Sequence, residues 1–242
     1  MVQMVTKAII LAGGKGERLR PYTDDKPKPM VPVGGIPDVE YQVIQLKKAG
    51  VKEIVFAVSY KKEYLMNYWG DGSKWNLDIH YSEEDQPLGR GGGIKKAMRL
   101  LKGEWEDTLV TNGDNLWKLD IPSLVNAHQI SDALVTMVVV QLRSPYGIVE
   151  INDLDQVVGF VEKPLLPHWV NGGVYVFSKD ILEKLPDIGD HEVETFPNLS
   201  KEKFLAYKSR DFWKGFDTIK DLIEAEKEVT EVFKDLTFSL PG

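Results

Sequence analysis

The 242-residue chain contains no cysteine. Disulfides, thiolate metal sites and a cysteine nucleophile are thereby excluded. It also lacks a long apolar run and an N-terminal secretory pattern, so the expectation is a cytoplasmic protein with no membrane partner. Positive charge is in deficit, with 30 lysines and arginines against 37 aspartates and glutamates, for a net charge of −7. Nucleic acid and anionic membranes need cations in excess, so an anionic ligand must be held by a local site. Histidine is scarce. His80, His128, His168 and His191 stand too far apart for metal-ligand spacing, which leaves them surface or structural roles. Repeats, low-complexity tracts and a clear linker are absent, and a 43% hydrophobic content is ample for a buried core, so 1–242 reads as a single domain.

The most informative segment is glycine-rich. The apolar Ile9-Ile10-Leu11-Ala12 leads into Gly13-Gly14-Lys15-Gly16-Glu17-Arg18-Leu19, then Arg20-Pro21-Tyr22-Thr23 and Lys26-Pro27-Lys28-Pro29-Met30. Glycines let backbone N–H groups close on phosphate oxygens, because no Cβ intervenes and positive φ costs little. Arg18 and Lys28 add fixed positive charge within the same span, as a nucleoside triphosphate requires. This is not a P-loop, since Gly16 is followed by Glu17-Arg18 where that motif has Lys-Ser/Thr. Nor is it the dinucleotide fingerprint, because Leu19 stands where the third glycine would be. Pro21, Pro27, Pro29 and Pro32 disfavour helix and predict an ordered, extended arm that carries Lys28 to a set position.

Through the first half, apolar and amphipathic segments alternate in the βαβ manner. Residues 7–12, 53–59 and 108–112 read as strands. Helices are expected over 38–50, where Val39, Val43 and Leu46 recur at helical spacing, and over 93–102 and Ile121–Gln129. The second half adds sheet: a β-branched run at 134–142, a hairpin of 147–151 with 157–162 across Asn152-Asp153, and a strand at 173–177. A final helix over 218–233 carries Ile219, Leu222, Ile223, Val229 and Val232 as a core-packing stripe. Trp105, Trp117 and Trp169 are read as packing residues.

The glycine-rich segment resembles the signature of the sugar-1-phosphate nucleotidylyltransferases, Gly-Gly-x-Gly-Thr-Arg-Leu-x-Pro-x-Thr followed after a spacer by Pro-Lys-Pro. Glu17 replaces the threonine. The resemblance implies an α/β, Rossmann-like nucleotide-diphospho-sugar transferase fold, with a central mixed, mostly parallel sheet flanked by helices. The nucleotide-binding half would be about 1–130 and the sugar-binding half about 131–242. It implies transfer of a nucleotidyl group from an NTP to a sugar-1-phosphate, with pyrophosphate leaving and no covalent enzyme intermediate. Leu11, Ala12, Gly13, Gly14 and Gly16 would line the nucleotide. Arg18 would steady the triphosphate, and Lys28 would neutralise charge growing on the α-phosphate and leaving group. Members often carry a C-terminal β-helix; little follows Phe233 here, so the chain resembles the catalytic unit alone, and homo-oligomers are common among its relatives.

Asp114, in Thr111-Asn112-Gly113-Asp114-Asn115, should emerge at a strand's C-terminal edge, where ligands of open α/β sheets gather, although an Asn-Gly-Asp turn can also stand without a ligand. The resemblance gives it Mg²⁺. A second metal aspartate is usual in a C-terminal Trp-x-Asp-x-Gly-Thr pattern, but here Phe212-Trp213-Lys214-Gly215-Phe216-Asp217-Thr218 puts glycine at that position. The branch that makes CDP-glucose is similar to this arrangement, so the metal role passes to Asp217, which could equally cap the last helix.

Glu84-Asp85-Gln86-Pro87-Leu88-Gly89-Arg90-Gly91-Gly92 resembles the family's Glu-x-x-Pro-Leu-Gly-Thr-Gly-Gly loop, with Arg90 for threonine. Glu84, Pro87 and Gly89 would therefore face the base. An ionised carboxylate only accepts hydrogen bonds, which suits the donor edge of guanine and tilts the expectation to GTP and mannose-1-phosphate. CTP, UTP or dTTP with glucose-1-phosphate is the alternative, Lys28-Pro29-Met30 and Asp217 favouring CTP. For the acceptor, Gly147, Glu162, Lys163, Asn171 and Gly172 match the family's Tyr-Gly, Glu-Lys-Pro and Asn-Ala/Gly-Gly elements; Glu162 would accept sugar hydroxyls and Lys163 would hold the phosphate. Two other classes stay in view: a nucleotide-sugar-binding regulatory subunit without turnover, and a glycosyltransferase, which usually has an Asp-x-Asp motif that Asp114-Asn115-Leu116 lacks. Asp38 occupies a position where an apolar residue is usual after Gly-x-Pro, and the sequence offers no account of it.

Overall fold

Apolar, β-branched segments stack into a seven-stranded sheet whose central strands, such as Lys7–Leu11, Glu53–Val58 and Asp107–Asn112, are buried on both faces. The computed structural model describes residues 4–84 and 86–236. In chain order the first half runs β1 (Lys7–Leu11), β2 (Pro32–Val33), β3 (Ile36–Pro37), α1 (Asp38–Lys48), β4 (Glu53–Val58), α2 (Lys62–Trp69), β5 (Asp78–Glu83), α3 (Gly89–Met98) and β6 (Asp107–Asn112). Then come β7 (Asn115–Lys118), α4 (Ile121–Gln129), β8 (Val135–Arg143), β9 (Ile148–Ile151), β10 (Val157–Val161), β11 (Leu165–Ser178), β12 (Phe204–Lys208), β13 (Phe212–Gly215) and α5 (Ile219–Val232).

The main sheet has the order β12-β8-β11-β6-β1-β4-β5. Only β11 runs antiparallel to its neighbours; β6, β1, β4 and β5 pair in parallel, as do β12 and β8. The sheet is thus mixed and mostly parallel, with helices on both faces. Ile10, Phe56, Leu109 and Val176 point to the side covered by α1, α2 and α4. Ile9, Val55, Val110 and Phe177 point to the side covered by α3 and by the segment that carries Ile181 and Phe196. This period-2 division places the C-terminal ends of β1 and β6 side by side, and the glycine-rich loop and the Asp114 turn both leave from there.

Several elements differ from the sequence expectation. The arm after the glycine loop is not extended: it contains the one-turn 3-10 helices Glu17–Leu19 and Lys28–Met30, since proline is tolerated in a first turn. The expected helix over 93–102 begins earlier, at Gly89, because Gly89 at φ +73, Gly91 and Gly92 pack directly on the 187–191 backbone. The strand expected at 173–177 is the end of the 14-residue β11. Strands β2, β3, β5, β7, β12 and β13 and helix α2 were not anticipated. In α5 the stripe is narrower than expected: Leu222 and Val229 are buried and Val232 packs beside them, whereas Ile219 and Ile223 are exposed. Trp105 and Trp117 are buried and Trp169 is half-buried.

His191 opens a π-helical turn, His191–Thr195, and is fully buried edge-on to Phe196, with ring centroids 4.9 Å apart. Burial, reinforced by Arg90 and opposed by Asp190, pushes its pKa from the ordinary 6.5 down to about 4. The unfolded chain takes up a proton below 6.5 that the folded chain refuses until about 4, so stability falls as pH drops through that interval. The expected slope is at most about 1.4 kcal/mol per pH unit. Urea unfolding of His191→Phe across this range should show the slope removed; an unchanged slope would assign it to other groups.

Candidate active site

A cavity of about 310 Å³ opens where β1 and β6 end, lined by Gly14, Gly16, Glu17, Arg18, Lys28, Asp114 and Asp217. Lys28 is its pivot. The side chain is almost fully buried, and its Nζ donates to Asp114 Oδ2 at 2.9 Å and to Asp217 Oδ1 at 2.7 Å. Arg18 reaches Asp217 Oδ2 from the solvent side at 3.1 Å. Burial works against the Lys28 charge, but the two carboxylates outweigh it and the net shift is upward. For Asp217 burial is likewise outweighed, by Lys28 and Arg18, and its carboxyl is held below the usual range.

Local structure explains each placement. Gly16 lies at φ +62, and a Cβ there would stand 2.9 Å from Lys28 Cβ, so the loop folds over the lysine only because residue 16 is glycine. Thr23 Oγ1 ties the loop by donating to Gly16 O at 2.9 Å. Asp114 rides on a turn clamped by the buried Gln42 of α1, whose Nε2 donates to Asn112 O at 3.0 Å and Asn115 O at 2.9 Å, while Oε1 accepts from Thr111 at 2.7 Å. Asp217 precedes α5, but the cap is Thr218, which forms a capping box with Asp221. Asp217 is thereby released from the capping alternative and turned to Lys28. Sequence reasoning missed Gln42; its signal was a polar residue one turn after Asp38 on an otherwise buried helix.

Asp38 itself is fully buried, and neither carboxylate oxygen has a partner among the described residues. Burial first and the Asp114 charge second push its carboxyl well above the usual range, with Lys28 opposing. Beneath the site, burial thus favours its protonated form.

The other sequence-predicted residues are not among those that line this cavity. Leu11 ends β1, Ala12 follows it with its N–H donating to Ala57 O at 2.8 Å, and a Cβ on Gly13 would meet Ser59 Oγ at 2.6 Å. Pro87 is exposed on the loop before α3 and Gly89 at the first residue of that helix, and Glu84 accepts from Leu88 N at 3.2 Å. Gly147 faces Phe160 and Glu162 at the base of the β9–β10 hairpin. Lys163, at φ +45, lines a second cavity of about 810 Å³ with Trp213 and Gly215, next to the Asp217 segment. Asn171 and Gly172 sit where β11 breaks register against β8. Trp213 Nε1 donates to Gly172 O at 2.8 Å and so joins that break to β13.

Two carboxylates meet on one point, and no group of three or more acidic or histidine side chains able to hold a metal occurs among the described residues. That pair of oxygen donors suits a hard divalent cation that completes its shell with waters and phosphate oxygens. No helix among the described residues is long and apolar enough to cross a membrane.

The profile of the nucleotidyl transferase family matches residues 7–232. Mannose-1-phosphate guanylyltransferase of Mycobacterium tuberculosis is 33% identical over 231 residues, which cover 92% of this chain and 64% of that protein. The chain thus spans just under two thirds of that relative's length. D-glycero-alpha-D-manno-heptose 1-phosphate guanylyltransferase of Campylobacter jejuni is 35% identical over 207 residues, covering 84% of this chain and 89% of the relative. Among solved structures, HddC from Yersinia pseudotuberculosis complexed with GMP-PN superposes with a TM-score of 0.74 at 29% identity, over 93% of this chain and 99% of that one.

Proposed function

Since the chain belongs to the nucleotidyl transferase family, we propose that it transfers a guanylyl group from GTP to a manno-configured sugar-1-phosphate, with mannose-1-phosphate the first candidate. The observation that carries this reading is the convergence of Gly14, Gly16, Arg18, Lys28, Asp114 and Asp217 on one cavity, from three distant parts of the sequence. Guanylyl transfer by the relatives supports the base, as does the acceptor-only Glu84. Residues up to about 130 form the nucleotide half of one catalytic domain, and the remainder forms the acceptor half.

The acceptor's phosphate oxygen attacks the α-phosphorus, the bond to the β-phosphate oxygen breaks, and pyrophosphate leaves with that electron pair. No side chain need act as nucleophile. The N–H groups of the Leu11–Gly16 loop bind the phosphates, and Arg18 draws the β- and γ-phosphates away from solvent. Lys28 donates to the α-phosphate and the bridging oxygen as charge builds there. Lys163 holds the acceptor phosphate in line, and Glu162 accepts from sugar hydroxyls. Asp114 and Asp217 would hold Mg²⁺, which supplies charge neutralisation to the phosphate oxygens when bound. A homo-oligomer belongs to the same reading, supported by Ile151, Val157 and Phe160, each more than 60% exposed on the β9–β10 hairpin.

Pyrophosphate release across GTP, CTP, UTP and dTTP against mannose-, glucose-, galactose- and N-acetylglucosamine-1-phosphate tests the reading. Release confined to GTP with mannose-1-phosphate is the expected result. Release with CTP or dTTP and glucose-1-phosphate would replace the substrates and keep the reaction, and a blank matrix would overturn it.

A further inference from the structure

Arg90 stands where the related loop has threonine, in the first turn of α3, where the helix dipole disfavours a cation. Its charge is absorbed by the opposite segment: Nε donates to Asp190 Oδ2 at 2.8 Å, and the guanidinium lies 2.9 Å from Glu192 Oε2. The other oxygen of Glu192, Oε1, accepts from Asn171 Nδ2 at 2.9 Å and from the Tyr175 hydroxyl at 3.2 Å. Asn171 Nδ2 also donates to that hydroxyl at 2.6 Å, and Asn171 Oδ1 accepts from Gly173 N at 2.9 Å. Both donors and the acceptor of the carboxamide are therefore committed inside the protein, which leaves the side chain a structural task. That task is the turn itself. Gly173 has φ +70 and packs so closely on Asn112 that a Cβ would fall 2.8 Å from its Nδ2, two residues before Asp114.

We infer that Glu192, anchored by Arg90, is a positioning residue for the acceptor: it fixes the Asn171 carboxamide and, through it, the Gly172–Gly173 turn that lines the sugar pocket. This rests on the reading of residues 171–172 as acceptor-lining. A threonine at 90 has one short hydroxyl and could not span to two carboxylates, so the ionic anchor is a property of this chain. It also fastens the acceptor turn to the helix that follows the base-facing loop.

Glu192→Ala should raise the KM for the sugar-1-phosphate about tenfold, the scale of one charged hydrogen bond, with the KM for the nucleotide moving less than about twofold. Arg90→Thr should act in the same direction more weakly, and Arg90→Lys should recover part of the loss. Thermal melts of each variant separate these effects from unfolding. Equal rises in both KM values, or a fall in kcat at unchanged acceptor KM, would overturn the inference while leaving the transferase reading intact. If the wild type turns over no acceptor at all, the reading fails and the network is judged separately by NMR. The Asn171 side-chain amide signals, assigned by their loss in Asn171→Asp, should shift in Glu192→Ala, and unchanged signals would refute the anchor.

Discussion

Alanine at position 28 is expected to lower turnover about 10²-fold or more, the cost of removing one preorganised charge donor from a phosphoryl transition state. The measurement is initial-rate pyrophosphate release under saturating substrates. Burial makes the effect large, since the almost fully buried Lys28 acts at short range and little water can replace it. Its partners are more open: Asp114 and Asp217 side chains are 37% and 49% exposed, so water can solvate them once the ammonium is gone. The melting temperature should consequently change far less than the rate. A variant that keeps wild-type turnover would remove Lys28 from the mechanism and with it the central argument for the site.

The second large effect is expected at Asp217. Asp217→Asn should weaken Mn²⁺ binding, read by electron paramagnetic resonance without substrates, by about tenfold or more, since even supporting residues of metal sites cost that much. Turnover should fall with it. The double variant Asp217→Asn with Gly215→Asp decides between two placements of the acid. A Cβ on Gly215 meets nothing nearer than Asn115 Oδ1 at 3.4 Å, so an aspartate fits there. No recovery is expected, because it is Asp217 that reaches Lys28 at 2.7 Å. Recovery would mean that the usual aspartate position is the functional one. Since Lys28 and Arg18 hold the Asp217 carboxyl below its ordinary 3.8, the contribution of this ion pair to folding is complete above that pH. It is lost as pH falls through the lower, folded-state value.

Much of this architecture was written locally in the chain. Val39, Val43 and Leu46 announced α1, the β-branched runs announced β1, β4 and β8, and Gly16 with the prolines marked the nucleotide loop. Short-range steric rules suffice for such features. The elements that escaped are those whose cause lies elsewhere in the fold. Helix α3 starts at Gly89 because three glycines, Gly89, Gly91 and Gly92, meet the backbone of residues 187–191, a contact that a reading of neighbours in sequence does not contain. Lys28 lies on a 3-10 turn, although the prolines around it predicted extended chain. For the site, residue types and their order pointed to Arg18, Lys28, Asp114 and Asp217. Their meeting at one ammonium depends on Gln42 and on the Thr218 cap, both of which act through backbone groups. The raised pKa of Asp38 was equally invisible, because it is set by the burial and the Asp114 charge that surround it.

The arrangement around Lys28 also bears on how ligands arrive. Two cations and two carboxylates close on one another, so the pocket holds no net charge of its own from these four groups. A triphosphate alone would have to break those pairs to gain them, whereas one that travels with its own cation can trade counterions. On the proposed reading the carboxylates would hold that cation, and Lys28 and Arg18 would hold the phosphates. Such an exchange makes association depend less steeply on ionic strength than the charge of the nucleotide alone would suggest, because ions are swapped within the pocket and few are released to the bulk.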